Sequence, residues 1–179
     1  MKKLRVIDFF CGAGIGAVGI EMAGFETVFA FDNNKHAIKS YQHNFPNHNS
    51  HILDANNISY NDIPYADVYI GGFPCQPFSI SGKNLGENDP DKGNLGKVIC
   101  DFIVVKKPKA FILENVKGLS NKRNISFMNV LINFLSTEYT VTYDVIDCSE
   151  YGVPQKRERV FIVGVRKDLR KKFEFPEKS

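Results

Sequence analysis

The sequence predicts an α/β fold: a Rossmann-like, doubly wound, mostly parallel seven-stranded sheet with an antiparallel edge strand. Three observations lead to it. Short apolar runs suited to buried strands alternate with segments of helical spacing. The first run empties into a glycine-rich turn that opens a helix, and the next run ends on an acid, Asp32. The last two apolar runs lie close together in the chain, which favours antiparallel pairing at one edge of an otherwise parallel sheet.

Residues 4–10 are apolar apart from Arg5 and Asp8 and read as a central strand. Cys11-Gly12-Ala13-Gly14-Ile15-Gly16 then turns into a helix that reaches 23, with Gly24 as its stop. A second strand covers 27–31. A helix follows over 35–44, bounded by Pro46, because the residue before a proline disfavours helical backbone. Residues 51–53 form a third short strand with Asp54 at its end. The run 67–70 is a fourth, leading into Gly71-Gly72-Phe73-Pro74-Cys75-Gln76-Pro77-Phe78-Ser79. Residues 81–96 are rich in Gly, Asn and Asp and read as a long functional loop. Helical patterning returns over 97–105, a fifth strand covers 110–113, and 127–135 has the apolar spacing of a packing helix. Residues 139–146 and 160–165 complete the strands. The expected organisation is one domain over 1–167 and a charged tail or linker over 168–179.

The composition is that of a soluble globular protein: 43% hydrophobic, 24% charged, no tryptophan. No apolar run approaches the length needed to cross a bilayer, so no membrane association is expected. The basic start followed by an interrupted apolar run reads as a strand, not a signal peptide. The four cysteines are widely separated with no C-x-x-C pair. Neither a metal site nor a disulfide framework is expected, and a reducing cytoplasm is the expected location. The net charge is +3, and the basic residues concentrate in 156–172, which suits a polyanionic partner.

Cys75 stands between Pro74 and Pro77, each of which fixes its own φ and restrains the residue before it. Such a stretch suits a nucleophile, although a lone cysteine is more often a small buried hydrophobe. Gly14-x-Gly16-x-x-Gly19 fits the nucleotide fingerprint, and Asp32 lies at a workable distance for ribose hydroxyls. That pattern leaves NAD, FAD and S-adenosylmethionine open. Asp8, just before the loop, would attract a cationic group and repel a pyrophosphate. Arg157 and Arg159 alternate with Glu158 on an extended segment, so both arginines are expected on one face. Phe10, Asp32, Asp54, Cys75 and Glu114 all follow predicted strands, and in open α/β sheets the ligand crevice lies at those strand ends.

Five segments together resemble the cytosine-carbon-5 DNA methyltransferase family. Asp8-Phe9-Phe10-Cys11-Gly12-Ala13-Gly14 is similar to its cofactor loop, and Gly72 to Ser79 to its catalytic-cysteine motif. Glu114-Asn115-Val116 is similar to E-N-V, Gln155-Lys156-Arg157-Glu158-Arg159 to Q-x-R-x-R, and Asp32 and Asp54 fall at the family's cofactor acids. The resemblance implies S-adenosyl-L-methionine as cofactor, held by Asp8, Phe10, Gly12, Gly14, Gly16, Asp32, Asn33, Asp54, Ala55, Pro74 and Leu95. It implies double-stranded, cytosine-containing DNA as substrate, with Gln76, Ser79, Asn115, Val116 and Gln155 contacting it. Cys75, Glu114, Arg157 and Arg159 are the implied catalytic residues. Two departures are local: Lys92 stands where the family's closing loop carries arginine, and Ala55 where a larger aliphatic is common. A third is large. The family's target-recognition region and a later helix with an N-V motif have no counterpart in these 179 residues. The expectation is a catalytic core completed by a second polypeptide. The alternatives are a remnant that binds cofactor or DNA without turnover, an RNA (tRNA) methyltransferase, and, furthest from the motifs, an NAD-dependent oxidoreductase.

Overall fold

A computed structural model describes residues 3–74 and 95–178. Cys75, Gln76, Ser79 and Lys92 lie outside the described residues. The strands are β1 (Arg5–Phe9), β2 (Glu26–Asp32), β3 (Ser50–Ile52), β4 (Val68–Gly71), β5 (Ala110–Val116), β6 (Tyr139–Asp147) and β7 (Glu158–Arg166). The helices are α1 (Ile15–Met22), α2 (Lys35–Asn44), α3 (Leu95–Lys106) and α4 (Ile125–Leu135). The strands form one sheet in the order β3-β2-β1-β4-β5-β7-β6.

β1 to β5 are mutually parallel, and β7 runs antiparallel to both of its neighbours. The chain winds outward from β1 to β3 in one direction and from β4 to β5 in the other. The switch point therefore lies between β1 and β4, where ligands bind in such sheets. The expected antiparallel pairing of the last two strands is present, and β7 is inserted between β5 and β6.

The helices cover the two faces. Ile7, Phe9, Phe31, Tyr69, Phe111 and Leu113 pack towards α3 and α4, whose Ile99, Phe102, Phe127 and Leu131 belong to the same core. Val6, Ala30 and Val68 pack towards α1 and α2 through Ala17, Ile20, Ile38 and Tyr41. Alternate residues of each strand thus supply opposite layers, as pleating requires.

Helix α2 occupies the predicted residues because its ends are specified locally. The Asn34 side chain accepts from the amides of His36 and Ala37, a cap that contributes about 1 kcal/mol. Strands β5 and β7 run beyond their predicted ends. β5 continues through Glu114, Asn115 and Val116 because β7 pairs with it to the last residue, Val116 opposite Arg159. The terminal segment has no regular structure over 170–178. It returns to the body of the protein, where the Tyr151 hydroxyl donates to the Pro176 carbonyl at 3.1 Å and Lys178 pairs with Glu150 at 2.9 Å. Among the described residues no helix is long and apolar enough to cross a membrane.

Candidate active site

At the end of β1 the chain leaves the sheet through backbone that most residues avoid. Phe10 has φ 56° and Gly12 φ 55°. Left-handed backbone costs a non-glycine residue about 1–2 kcal/mol, and such strain persists where surrounding contacts over-determine it. The contacts here are specific. The Cys11 amide donates to the Phe31 carbonyl at 3.1 Å, and the Gly12 amide to the Asp32 carboxylate at 3.0 Å. The other Asp32 oxygen accepts from the Asn34 amide at 2.8 Å. Asp32 therefore ties the glycine loop to the end of β2. A carboxylate has about four acceptor positions, so further ones remain for a ligand. Gly14, at φ 99°, lies so close to the Phe45 ring that a side chain there would collide with it.

Beside this loop is a crevice of about 240 Å³ lined by Phe10, Asp32, Asn33, Asn34, Leu53, Asp54, Ala55, Gly72, Pro74 and Leu95. Asp54 is oriented by its own turn, accepting from the Asn56 amide at 2.9 Å and the Asn56 side chain at 3.1 Å. Among the described residues the lining pairs two carboxylates from neighbouring strand ends with Asn33, Asn34 and apolar walls, and includes no Lys or Arg. The two carboxylates would repel a pyrophosphate. A ligand with a cationic centre and hydroxyl or amino donors suits these two acceptors.

Asp8, expected among the cofactor-binding residues, is not in this lining. Its side chain is 3% exposed, lies against Gly16, and has one oxygen without a hydrogen-bond partner. Burial, and after it the charge of Asp32, pushes its carboxyl up to about 7. Gly12, Gly14 and Gly16 shape the turn without lining the crevice. Asn34, Leu53 and Gly72 were missing from the sequence assignment. Each adjoins an assigned residue or a quoted motif, which was the available signal.

The second half of the site is on β5 and β7. Glu114 and Arg159 are diagonal neighbours on one face, since Val116 stands opposite Arg159 and Glu114 opposite Phe161. Arg159 Nε lies 2.9 Å from Glu114 Oε1, and its Nη1 donates to the Glu158 carbonyl at 2.8 Å. Glu158 in turn pairs with Lys117 at 2.6 Å. The other Glu114 oxygen points at Gly72, close enough that a Cβ there would lie 3.0 Å from it. The carboxylate thus stands over the backbone that leads to Pro74 and Cys75.

The two arginines separate. Arg159 is engaged with Glu114, while Arg157 is exposed and held by its backbone, its amide donating to Asp147 at 3.1 Å. Gln155 is also exposed, and Val116 is half-buried at the end of β5. Asn115, expected to touch substrate, faces the interior at 2% exposure. Its amide donates to the Phe73 carbonyl at 3.2 Å, and its oxygen accepts from the Val116 amide at 2.8 Å. Among the described residues no cluster of side chains could hold a metal ion.

Comparison with known proteins gives one consistent result. The family described as C-5 cytosine-specific DNA methylase matches residues 4–179. The chain is 43% identical over 178 residues to the type II methyltransferase M.HaeII of Haemophilus aegyptius, covering 99% of this chain and 54% of the relative. It is 41% identical over 174 residues to M.NgoBI of Neisseria gonorrhoeae, covering 97% and 53%. A solved structure of a Spodoptera frugiperda DNMT2 mutant superposes with a TM-score of 0.80 at 25% identity, covering 98% of this chain and 54% of that one. The chain spans about half the length of the curated relatives it matches.

Proposed function

Because the chain belongs to the C-5 cytosine-specific DNA methylase family, we propose that it is the catalytic core of a DNA (cytosine-5-)-methyltransferase with Cys75 as nucleophile. One observation carries the reading. The cofactor-type crevice and the Glu114–Arg159 pair meet at Gly72, three residues before Cys75 in the chain. Phe10, Asp32, Asp54, Pro74 and Leu95 would hold S-adenosylmethionine, which supplies an electrophilic methyl group when bound.

Carbon 5 of cytosine is a poor nucleophile. Addition of the Cys75 thiolate to carbon 6 makes the ring an enamine, nucleophilic at carbon 5, and splits one hard step into easier ones. As the thiolate adds, electron density builds in the ring, and Glu114, its orientation fixed by Arg159, hydrogen-bonds or protonates ring nitrogen 3 and takes that proton back on elimination. After carbon 5 is methylated, solvent water takes its proton, and the electrons of that C–H bond expel the Cys75 thiolate from carbon 6. Thiolate and carboxylate return to their starting states, and the base leaves as 5-methylcytosine. The target base must leave the duplex to reach this site, and Arg157, exposed just before β7, would meet the phosphates.

Target recognition is assigned to a second polypeptide. The outward face of α1 supports this: Ile15 is 88% and Met22 84% exposed, with Val18 between them, on the helix that the glycine loop opens. Methyl transfer from labelled S-adenosylmethionine to cytosine-containing DNA tests the whole reading. Transfer is expected on mixing with the completing polypeptide, and lost in Cys75→Ala. Transfer that survives Cys75→Ala would refute the assignment of the nucleophile.

A further inference from the structure

We propose that Asn115 is a positioning residue: its side-chain amide fixes the Phe73 carbonyl, and so the point from which the chain enters Pro74 and Cys75, relative to the Glu114 carboxylate. This rests on the reading of Cys75 as nucleophile.

The parallel ladder between β4 and β5 ends at Gly71 opposite Leu113. Beyond it the backbone at Phe73 leaves the sheet, and a buried carbonyl without a donor is costly. Asn115 supplies that donor from 42 residues away. The amide cannot rotate away freely, because its oxygen already accepts from the Val116 amide. Phe73 is held on its other side too. Its ring is buried in the core, and Gly96 of α3 lies so close that an added Cβ would be 3.1 Å from the ring. Carbonyl and ring are therefore pinned from two elements.

The neighbouring residue completes the device. Successive strand residues face opposite sides, so Glu114 reaches over Gly72 from one face while Asn115 grips Phe73 from the other. Two adjacent residues of β5 thus set both the carboxylate and the backbone that must meet it. No substrate contact is needed to explain Asn115, and its 2% exposure offers none.

Asn115→Asp tests this, being nearly isosteric but lacking the donor. As a carboxylate it turns an acceptor towards the Phe73 carbonyl; protonated, its O–H donates again. Burial favours the protonated form, so lowering the pH restores the bond. At pH 8 the variant, with its completing polypeptide, is expected to lose about 10- to 100-fold in kcat, the scale of a misplaced reacting group. S-adenosylhomocysteine affinity should remain within about threefold of the parent, since most of the crevice lining is untouched. The deficit in kcat should shrink as the pH falls towards 6. A deficit that is absent, or constant with pH, overturns the proposal.

Asn115→Ala removes the donor without adding charge and should show the loss with no pH recovery. Amide hydrogen exchange on the chain alone needs no turnover. Faster exchange confined to the peptide around 72–76 supports positioning, while unchanged exchange there, or faster exchange spread through β5 and β7, overturns it. Cys75→Ala in the same transfer assay separates the two readings. Survival of activity in that variant refutes the nucleophile, whatever Asn115 does.

Discussion

The two halves of the site are built in different ways. Around the crevice the polar contacts are local: Asp32 with Asn34, Asp54 with Asn56, each two residues apart, and Gly12 with Asp32 across one strand–helix–strand unit. Around Glu114 they are long-range. Arg159 reaches Glu114 from another strand, Asn115 reaches Phe73 across 42 residues, and Lys117 reaches Glu158 across 41. The cofactor half is set by turns that form with their own strands. The chemistry half exists only when β4, β5 and β7 are in register. Perturbations should therefore separate, with cofactor affinity answering to the first half and turnover to the second.

The largest separation is expected at Glu114. Glu114→Gln keeps the shape but loses the charge paired with Arg159, and should lower kcat by about 100- to 1,000-fold, as loss of a preorganised electrostatic group does. Single-turnover transfer and S-adenosylhomocysteine calorimetry would check this, the second remaining near the parent value. Equal losses in both would break the distinction between the halves.

Next comes Asp8, which lies beneath the glycine loop and belongs to the fold of the first half. Its carboxyl is raised to about 7, above its unfolded value. The stability from its neutral form is present in full below the unfolded pKa and is lost as the pH rises through about 7. The loss can reach about 4 kcal/mol, since each tenfold change in a proton-binding equilibrium is worth about 1.4 kcal/mol. Thermal melts of the parent should therefore weaken between about pH 4 and pH 7 and level off above that, while those of Asp8→Asn change less. Parallel curves would contradict the buried, unpaired carboxyl.

Asp32→Ala should act in the opposite sense to Glu114→Gln. It removes a crevice-facing carboxylate and releases the Gly12 amide, so affinity for S-adenosylhomocysteine should fall about 10- to 100-fold, the worth of one charged hydrogen bond or two. The Asn115-dependent exchange around 72–76 should stay unchanged. The smallest effect is expected at Gly164, where an added Cβ would press into the Phe111 ring between β5 and β7. Gly164→Ala should cost about 1–3 kcal/mol in denaturant unfolding, with a drop in turnover but not in cofactor affinity.

The same contrast explains what was legible in the sequence. Helix α2 matches its predicted residues because Asn34 and Pro46 mark its ends within the segment itself. The crevice residues Phe10, Asp32 and Asp54 were readable because each follows a predicted strand, a local pattern, and Ala55 came from the family resemblance. The full length of β5 was not, since Glu114, Asn115 and Val116 stay in the sheet only through pairing with β7. Nor was the inward orientation of Asn115, which depends on the strand continuing past Leu113 and on a carbonyl exposed by the end of another ladder. Asp8 reads as a loop acid until α1 is packed over it. The different settings of Arg157 and Arg159 follow from the point at which β7 begins, Glu158.

The central claim is that Cys75 adds covalently to cytosine. DNA carrying 5-fluorocytosine at the target position halts the reaction after alkylation, because carbon 5 then holds no proton to lose. Incubated with the protein, the proposed second polypeptide and S-adenosylmethionine, then digested and weighed by mass spectrometry, the chain should carry the modified base on the peptide containing Cys75. An adduct on any other residue, or methylated cytosine product formed without an adduct at Cys75, would contradict it.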